Sequence, residues 1–415
     1  MRNDRNRSTR NLNVSNGLMK ALFYNHTAHV SGAERVLLLA LAGLERDRIH
    51  PTVVSPRGQL TRELDDLGIP CIEMGELNAR FTLRPDKLIS YAASLIGTVL
   101  DLRSKIVKSD PDVIHANSIR AGIAALLASF GTKRPVIWHV HDELKPHPLS
   151  TAIRLLVLFS KRCRIVAVSN ATAASFAGRL LKTSDIAVLH NAVHLKKIES
   201  ISLDRDLKVQ LGLSSEDFIF GTVGQITPRK GQLELIEAFA KVARQISGAK
   251  LLIVGAPIFN NDHLYQSKLE DAVKALRIEN RVIFLGQRSD AIAIIKEIDA
   301  LIINSRSEAF VMVAIEAMAC RTPVIATDVG GTREMIEHQH NGLLINFGDE
   351  EQLIDAMTKI HENEKLRELF KGRSREKVEK HLNAERFKRK FQVILVETTI
   401  TLPSPRVRTQ LSAGT

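Results

Sequence analysis

The chain has 415 residues, 44% hydrophobic and 25% charged with few aromatics, which is enough for two α/β domains and argues against a disordered or collagen-like protein. Its three cysteines, Cys71, Cys163 and Cys320, are scattered and lack metal-ligand spacing, so they suggest a reducing, cytoplasmic compartment, and no apolar run reaches the length of a membrane-spanning helix. The net charge of +12 falls almost wholly in the amino half, which is therefore expected to meet something anionic: a membrane surface, a lipid-linked phosphate or a nucleic acid, with a solvated basic face as the plain alternative.

Residues 1–17 have no apolar core of the signal-peptide kind and read as a disordered basic tail, with Met19 as an alternative start. Leu18 to Tyr24 is a first strand, and Gly32 opens a helix whose apolar residues Val36, Leu37, Leu39, Ala40 and Leu44 recur at helical spacing. A lone glycine fits an ordinary turn, but the first strand-to-helix turn of a doubly wound domain also points at its ligand crevice. Strands follow at Thr52-Val53-Val54 and Cys71-Ile72. Arg80 to Lys108 is then a basic amphipathic region, in which Arg80, Arg84, Lys87, Arg103, Lys105 and Lys108 surround apolar Leu88, Ile89, Leu95, Ile96, Val99 and Leu100. Such a stripe is either core packing with a solvated opposite face or a docking surface for an anionic membrane.

After a strand at Val113-Ile114-His115 and another helix, Val136 to Val140 is a buried strand that delivers His141-Asp142 at its carboxyl end. A histidine there is a polar or basic partner for a hydroxyl nucleophile, or a structural imidazole; His139 faces the same side of the strand and competes for the assignment. Arg164 to Val168 is the next strand, Ser169-Asn170 starts a helix, and Ile186 to Leu189 leads into HNAVH, a hinge followed by polar residues 195–216.

Phe218 to Val223 is a strand, followed by Gly224, the loop QITPRKGQ and a helix from Leu233 to Gln245. Arg229 and Lys230 at a helix entrance, with Gly231 freeing the backbone, suit a diphosphate clamp; alone, the pair also fits a solvated loop. Strands Leu251 to Val254 and Val282 to Leu285 precede the most informative stretch, Ile298 to Gly331. It reads as a strand at Leu301-Ile302-Ile303, a loop, a helix from Met312 to Ala319 ended by Pro323, a strand at Val324-Ile325-Ala326, then Gly330-Gly331 and an N-cap at Thr332. Glu308 falls at the carboxyl edge of the sheet and Glu316 inside the helix whose amino end favours anions. Carboxylates accept hydrogen bonds from hydroxyls, so one suits each sugar ring of a nucleotide-sugar; capping a loop and complementing a dipole are the plainer roles. Gly342 to Ile345 is a last strand, charged helices fill Glu350 to Lys380 and Ala384 to Glu397, and the end reads as disordered.

These motifs resemble glycosyltransferase family 4, the retaining, nucleotide-sugar-dependent enzymes of GT-B type. The resemblance rests on Glu308-Ala309-Phe310 through Glu316-Ala317-Met318-Ala319, on Pro323-Val324-Ile325-Ala326, on Gly330-Gly331, on VGQITPRKGQ, on SGAER and on His141-Asp142. Ser31, Ala192, His194, Gln225, Val311 and Arg321 depart from the family pattern, Ser31, Val311 and Arg321 in place of glycines. Val311 matters most among these, because a β-branched residue restricts φ where the backbone is expected to approach the sugar or phosphate.

The resemblance implies an α/β fold of two facing Rossmann-like domains with an interdomain cleft: 18–195 on the acceptor side, 196–383 on the donor side, a helix at 384–400 crossing back and a tail at 401–415. It implies a catalytic set of His141, Glu308, Arg229 and Lys230, with Glu308 on the donor hexose. Glu316 would hold the ribose, and Gly32, Gly224, Phe310, Val311 and Met312 would line the donor site. The implied reaction moves a sugar from a nucleotide-diphosphate donor, a co-substrate, to a hydroxyl of a sugar or lipid-linked sugar in cell-surface polysaccharide or glycolipid biosynthesis. No metal or other cofactor is expected, because no D-x-D-type carboxylate pair or metal-ligand cluster is evident. Nucleic acid is disfavoured as a partner because the basic half lacks interleaved aromatics. A sugar-phosphate synthase, a phosphorylase of the same architecture and a non-catalytic nucleotide-sugar-binding protein remain alternatives.

Overall fold

The computed structural model describes residues 18–77, 85–258 and 260–404; the expected tail at 1–17, the end at 405–415, and Arg80 and Arg84 lie outside them. Contacts divide the chain into two compact units, one of Met1–Val140, His147–Val166 and Lys388–Thr415, the other of His141–Pro146 and Ala167–Phe387.

The amino-terminal elements alternate: β1 (Met19–Tyr24), α1 (Gly32–Leu41), β2 (Ile49–Ser55), α2 (Gln59–Asp66), β3 (Cys71–Glu73), α3 (Pro85–Ser109), β4 (Val113–Ala116), α4 (Ile119–Ser129), β5 (Val136–Val140), α5 (Pro148–Phe159), β6 (Cys163–Ala167), α6 (Asn170–Ala177) and β7 (Ala187–Val188). The strand order is β3-β2-β1-β4-β5-β6-β7, and β1 pairs in parallel with both β2 and β4. Central strands β4 and β5 are buried at every position, as apolar runs covered on both faces require. Ser31, in place of a glycine, forms a capping box at the head of α1: its backbone N–H donates to the buried Glu34 carboxylate at 3.0 Å.

The apolar stripe expected along Arg80 to Lys108 is in fact two stripes. Leu102 and Ile106 face inward, while Ile89, Ile96, Leu100 and Val107 are 57–77% exposed along one outward line of α3.

The second half continues with α7 (Leu195–Ser200), α8 (Leu207–Leu211), β8 (Phe218–Val223), α9 (Gln232–Gln245), β9 (Ala249–Val254), α10 (Asn260–Ala275), β10 (Val282–Gly286), α11 (Ala291–Glu297), β11 (Ala300–Ile303), α12 (Met312–Ala319), β12 (Val324–Thr327), α13 (Thr332–Met335), β13 (Leu343–Ile345), α14 (Glu350–Glu362), α15 (Glu364–His381) and α16 (Ala384–Thr401). Its six strands run β10-β9-β8-β11-β12-β13. Chain order reverses between β8 and β11, which pair in parallel through Phe220 with Ala300 and Gly221 with Leu301. Loops leaving the carboxyl ends of those two neighbours must diverge, and ligands of open α/β sheets bind in the gap that results.

Several local expectations change. Thr332 is the first helical residue of α13 and Gly331 its N-cap. The charged helices expected over Glu350 to Lys380 are α14 and α15, divided at Asn363, which ends α14 and whose side chain accepts from Leu366 N–H to start α15. Val311 takes φ −89° as the N-cap of α12, an ordinary extended conformation, so its branched side chain imposes no backbone strain.

Arg321 is the costly departure. It sits at φ +62°, where Arg321 N–H donates to Met318 O at 3.2 Å and Thr322 N–H to Ala317 O at 2.9 Å, a Schellman ending that favours glycine. Its side chain is exposed. Arg321→Gly is expected to stabilise the protein by roughly 1 kcal/mol, seen as a higher urea midpoint at unchanged m-value; an unchanged or lower midpoint would contradict the assignment of strain.

Candidate active site

The loops after β8 and β11 carry the charged groups, and glycines let them close on each other. Gly224, at φ +152°, follows β8; its carbonyl comes so close to Gly255 that a Cβ built on Gly255 would lie 1.8 Å away. Pro228–Lys230 forms one 3₁₀ turn. Gly231 ends that turn at φ +63°, where a Cβ would meet the Asn304 carbonyl at 2.1 Å. Asn304 Nδ2 in turn donates to Gly231 O at 2.9 Å, and Arg306 N–H donates to Arg229 O at 2.8 Å. The two loops are thus bound backbone to backbone before any side-chain charge is considered.

On this frame Lys230 Nζ and Arg229 Nη1 both reach Glu308 Oε1, at 2.6 and 3.2 Å. Arg229 also donates to the Ser307 carbonyl at 2.9 Å. Glu308 is 8% exposed. Burial opposes its ionisation, but Lys230 and Arg229 outweigh burial and hold its carboxyl below the usual range. A carboxylate in this setting is anionic at neutral pH, and it gathers the two cations on one oxygen.

Gly330 and Gly331 cross over the Glu308 backbone. A Cβ on Gly330 would lie 1.7 Å from Glu308 O and 2.7 Å from Glu143 Oε1, and one on Gly331 would lie 2.4 Å from Ala309 O. Gly331 N–H donates to Glu308 O at 3.1 Å. Glu143 therefore joins the cluster. Its pKa is raised, chiefly by burial, with the Glu308 charge also raising it and Lys145 and Arg229 opposing.

The remaining predicted residues fall around this cluster in different ways. Phe310 is buried and stacks on His190, with centroids 5.6 Å apart and planes inclined by 20°. Val311 caps α12 without a side-chain acceptor, so the first N–H groups of that helix receive no cap from it. Met312 and Glu316 lie on α12, each partly exposed. His141 shares a compact unit with Glu308, and burial takes its pKa down to about 3. At neutral pH it is an uncharged imidazole, suited to hydrogen bonding and a weak base. His139 is buried beside His115, ring nitrogens 3.4 Å apart. Gly32 heads α1 in the other unit.

Sequence reasoning missed Glu143. Glu143 directly follows His141-Asp142, so its position was in view; nothing local says that Gly330 would come to rest against it. Gln225, which departs from the family pattern, donates to Asp262 at 2.7 Å. Among the described residues, no group of three or more His, Cys, Asp or Glu side chains is placed to hold a metal ion.

Comparison with known proteins gives a consistent picture. Residues 30–197 match the model of Glycosyltransferase Family 4, and residues 204–377 that of Glycosyl transferases group 1. The chain is 31% identical over 214 residues to the N-acetyl-alpha-D-glucosaminyl L-malate synthase of Bacillus anthracis, covering 51% of this chain and about half, 53%, of that one. It is 24% identical over 355 residues to the UDP-Gal:alpha-D-GlcNAc-diphosphoundecaprenol alpha-1,3-galactosyltransferase of Escherichia coli, covering 83% and 88% of the two. The crystal structure of Anabaena HepE in complex with UDP-glucose is similar with a TM-score of 0.76 at 26% identity, over 91% of this chain and all of that one.

The close backbone approach at Gly330 makes a direct test. Gly330→Ala places a Cβ against the Glu308 carbonyl at φ +50° and is expected to cost at least about 2 kcal/mol of stability, measured by urea unfolding. A variant as stable as the wild type would mean that this crossing of backbones does not exist.

Proposed function

The chain belongs to the family 4 glycosyltransferases, and from that premise we propose that it transfers a sugar, with retention at the anomeric carbon, from a nucleoside-diphosphate donor to a hydroxyl of a lipid-linked or oligosaccharide acceptor. The observation that carries this reading is the exchangeable ion cluster at Glu308. A diphosphate brings more negative charge than one carboxylate, so it competes for Lys230 and Arg229, and the freed Glu308 then accepts hydrogen bonds from sugar hydroxyls. The same residues thus hold each other without donor and hold the two halves of the donor with it.

As the glycosidic bond breaks, negative charge grows on the leaving diphosphate. Fixed cations stabilise that state more than the ground state, which is the condition for lowering the barrier. In this reading Lys230 and Arg229 supply the positive charge with no metal cofactor. The departing phosphate oxygen takes the acceptor proton in a same-face substitution, in keeping with a His141 too weakly basic to do so. Glu316, on α12, holds the ribose. Similarity to a UDP-glucose-binding structure and to a uridine-dependent galactosyltransferase favours a uridine donor.

Lys230→Gln is expected to lower kcat by about 10²- to 10³-fold, assayed as nucleotide release from a panel of nucleotide-sugars with acceptor present. Retained turnover in a folded variant would remove Lys230 from the clamp.

We further propose that the first unit docks on an anionic membrane surface. The outward line of α3, Ile89, Ile96, Leu100 and Val107, is apolar. Phe130 at the end of α4 and Phe159 at the end of α5 are 84% and 83% exposed, and exposed Lys133 and Lys161 follow them closely. Apolar side chains bordered by lysines fit the boundary between acyl chains and anionic headgroups, where each lysine adds about 1 kcal/mol. Wild-type protein is expected to sediment with phosphatidylglycerol vesicles at low salt and not with neutral vesicles, and the double variant Phe130→Ser, Phe159→Ser to lose most of that binding. No sedimentation at low salt would end the proposal; self-association that the double variant abolishes would reassign the face to a second copy of the chain.

A further inference from the structure

Glu308 lies in the loop between β11 and α12, and something must hold the backbone that follows it. We infer that Glu334 is a positioning residue for this segment, Glu308-Ala309-Phe310, acting through two arms that it ties together. The inference rests on the donor-site reading above and adds to it a residue that does not itself touch the donor.

Glu334 lies on α13, three residues after Gly331. Its carboxylate accepts from Asn170 N–H at 2.9 Å, Asn170 Nδ2 at 2.7 Å, Ala171 N–H at 3.1 Å and His190 Nε2 at 2.8 Å. The first two backbone donors open α6, so the anion at that helix end is supplied by the protein itself. Burial works against ionisation of Glu334, yet these hydrogen bonds outweigh it and bring its pKa down to about 2.

Each arm ends on the residues after Glu308. Ser169, the N-cap of α6, donates from Oγ to Ala309 O at 2.7 Å. His190 carries the stacked ring of Phe310. The Glu308 carbonyl is meanwhile held by Gly331 N–H at 3.1 Å. Three consecutive residues are therefore fixed by a carbonyl contact, a second carbonyl contact and a ring contact, all tied to Gly331–Glu334. Displacement of the Glu308 backbone by a fraction of an ångström would carry its side chain away from the sugar.

The arrangement needs an acceptor with four sites and no donor, which among the side chains is a carboxylate. Glutamine is nearly isosteric but turns an NH₂ toward N–H donors. Glu334→Gln is therefore expected to raise the donor KM at least tenfold and to weaken nucleoside-diphosphate binding similarly in calorimetry, while the acceptor KM stays within twofold. A residue that merely stabilised the fold would not split the two KM values in this way.

Ser169→Ala removes one arm's contact with the Ala309 carbonyl and leaves the four bonds of Glu334 intact, so it decides the matter if Glu334→Gln does not fold. It is expected to reproduce the rise in donor KM, and the double variant to lose less than the sum of the singles. Donor KM and nucleotide affinity within twofold of wild type in a folded variant would overturn the assignment, as would equal losses for donor and acceptor. A wild-type protein that binds no nucleoside diphosphate would instead overturn the donor-site reading, and this inference with it.

Discussion

The interaction that organises the charged loops of the second unit is the pairing of one buried carboxylate with two cations. Glu308 is 8% exposed and meets Lys230 at 2.6 Å and Arg229 at 3.2 Å. A buried charge persists only when it is paired and hydrogen-bonded, so removing the two cations would leave the Glu308 carboxylate stranded in a poorly solvated place. The loops after β8 and β11 are bound to each other by these pairs as well as by their backbones. In the proposed reading a diphosphate finds the cations already gathered, and they need only change partners.

Getting those loops close enough is a backbone problem solved with glycine. Gly231, Gly255, Gly330 and Gly331 each sit where a Cβ would come within 1.7–2.4 Å of a carbonyl on a facing segment. These glycines are therefore set by what passes opposite them. The charged residues then project from carbonyl-locked turns, which limits how far Arg229, Lys230 and Glu308 can drift.

The departures from the family pattern turn out to have unequal consequences. Ser31 exchanges a glycine's freedom for a capping box with Glu34. Val311 needs no special φ where it stands. Arg321 keeps the left-handed conformation of a helix ending without the residue that adopts it cheaply. The side chain of Arg321 is exposed, so the strain is borne at a position that touches none of the charged cluster.

Local order was legible from residues alone. Buried parallel strands appear as short apolar runs, so Val136–Val140 and Phe218–Val223 were readable to the residue, and so was the helix Met312–Ala319 with its strong helix formers. The motif VGQITPRKGQ and the pair Glu308 and Glu316 likewise identified the family, because that signature is a string. Which apolar side of α3 is covered was not legible, since both faces carry leucine, isoleucine and valine and only the neighbouring helices choose between them. Nor was the place of Glu143 or Glu334. Lys230 meets Glu308 across 78 residues, and Glu334 meets Asn170 across 164. Partnerships at such separations are decided by where the strands end and which glycine lets one backbone pass another, and that information exists only once the sheet has formed.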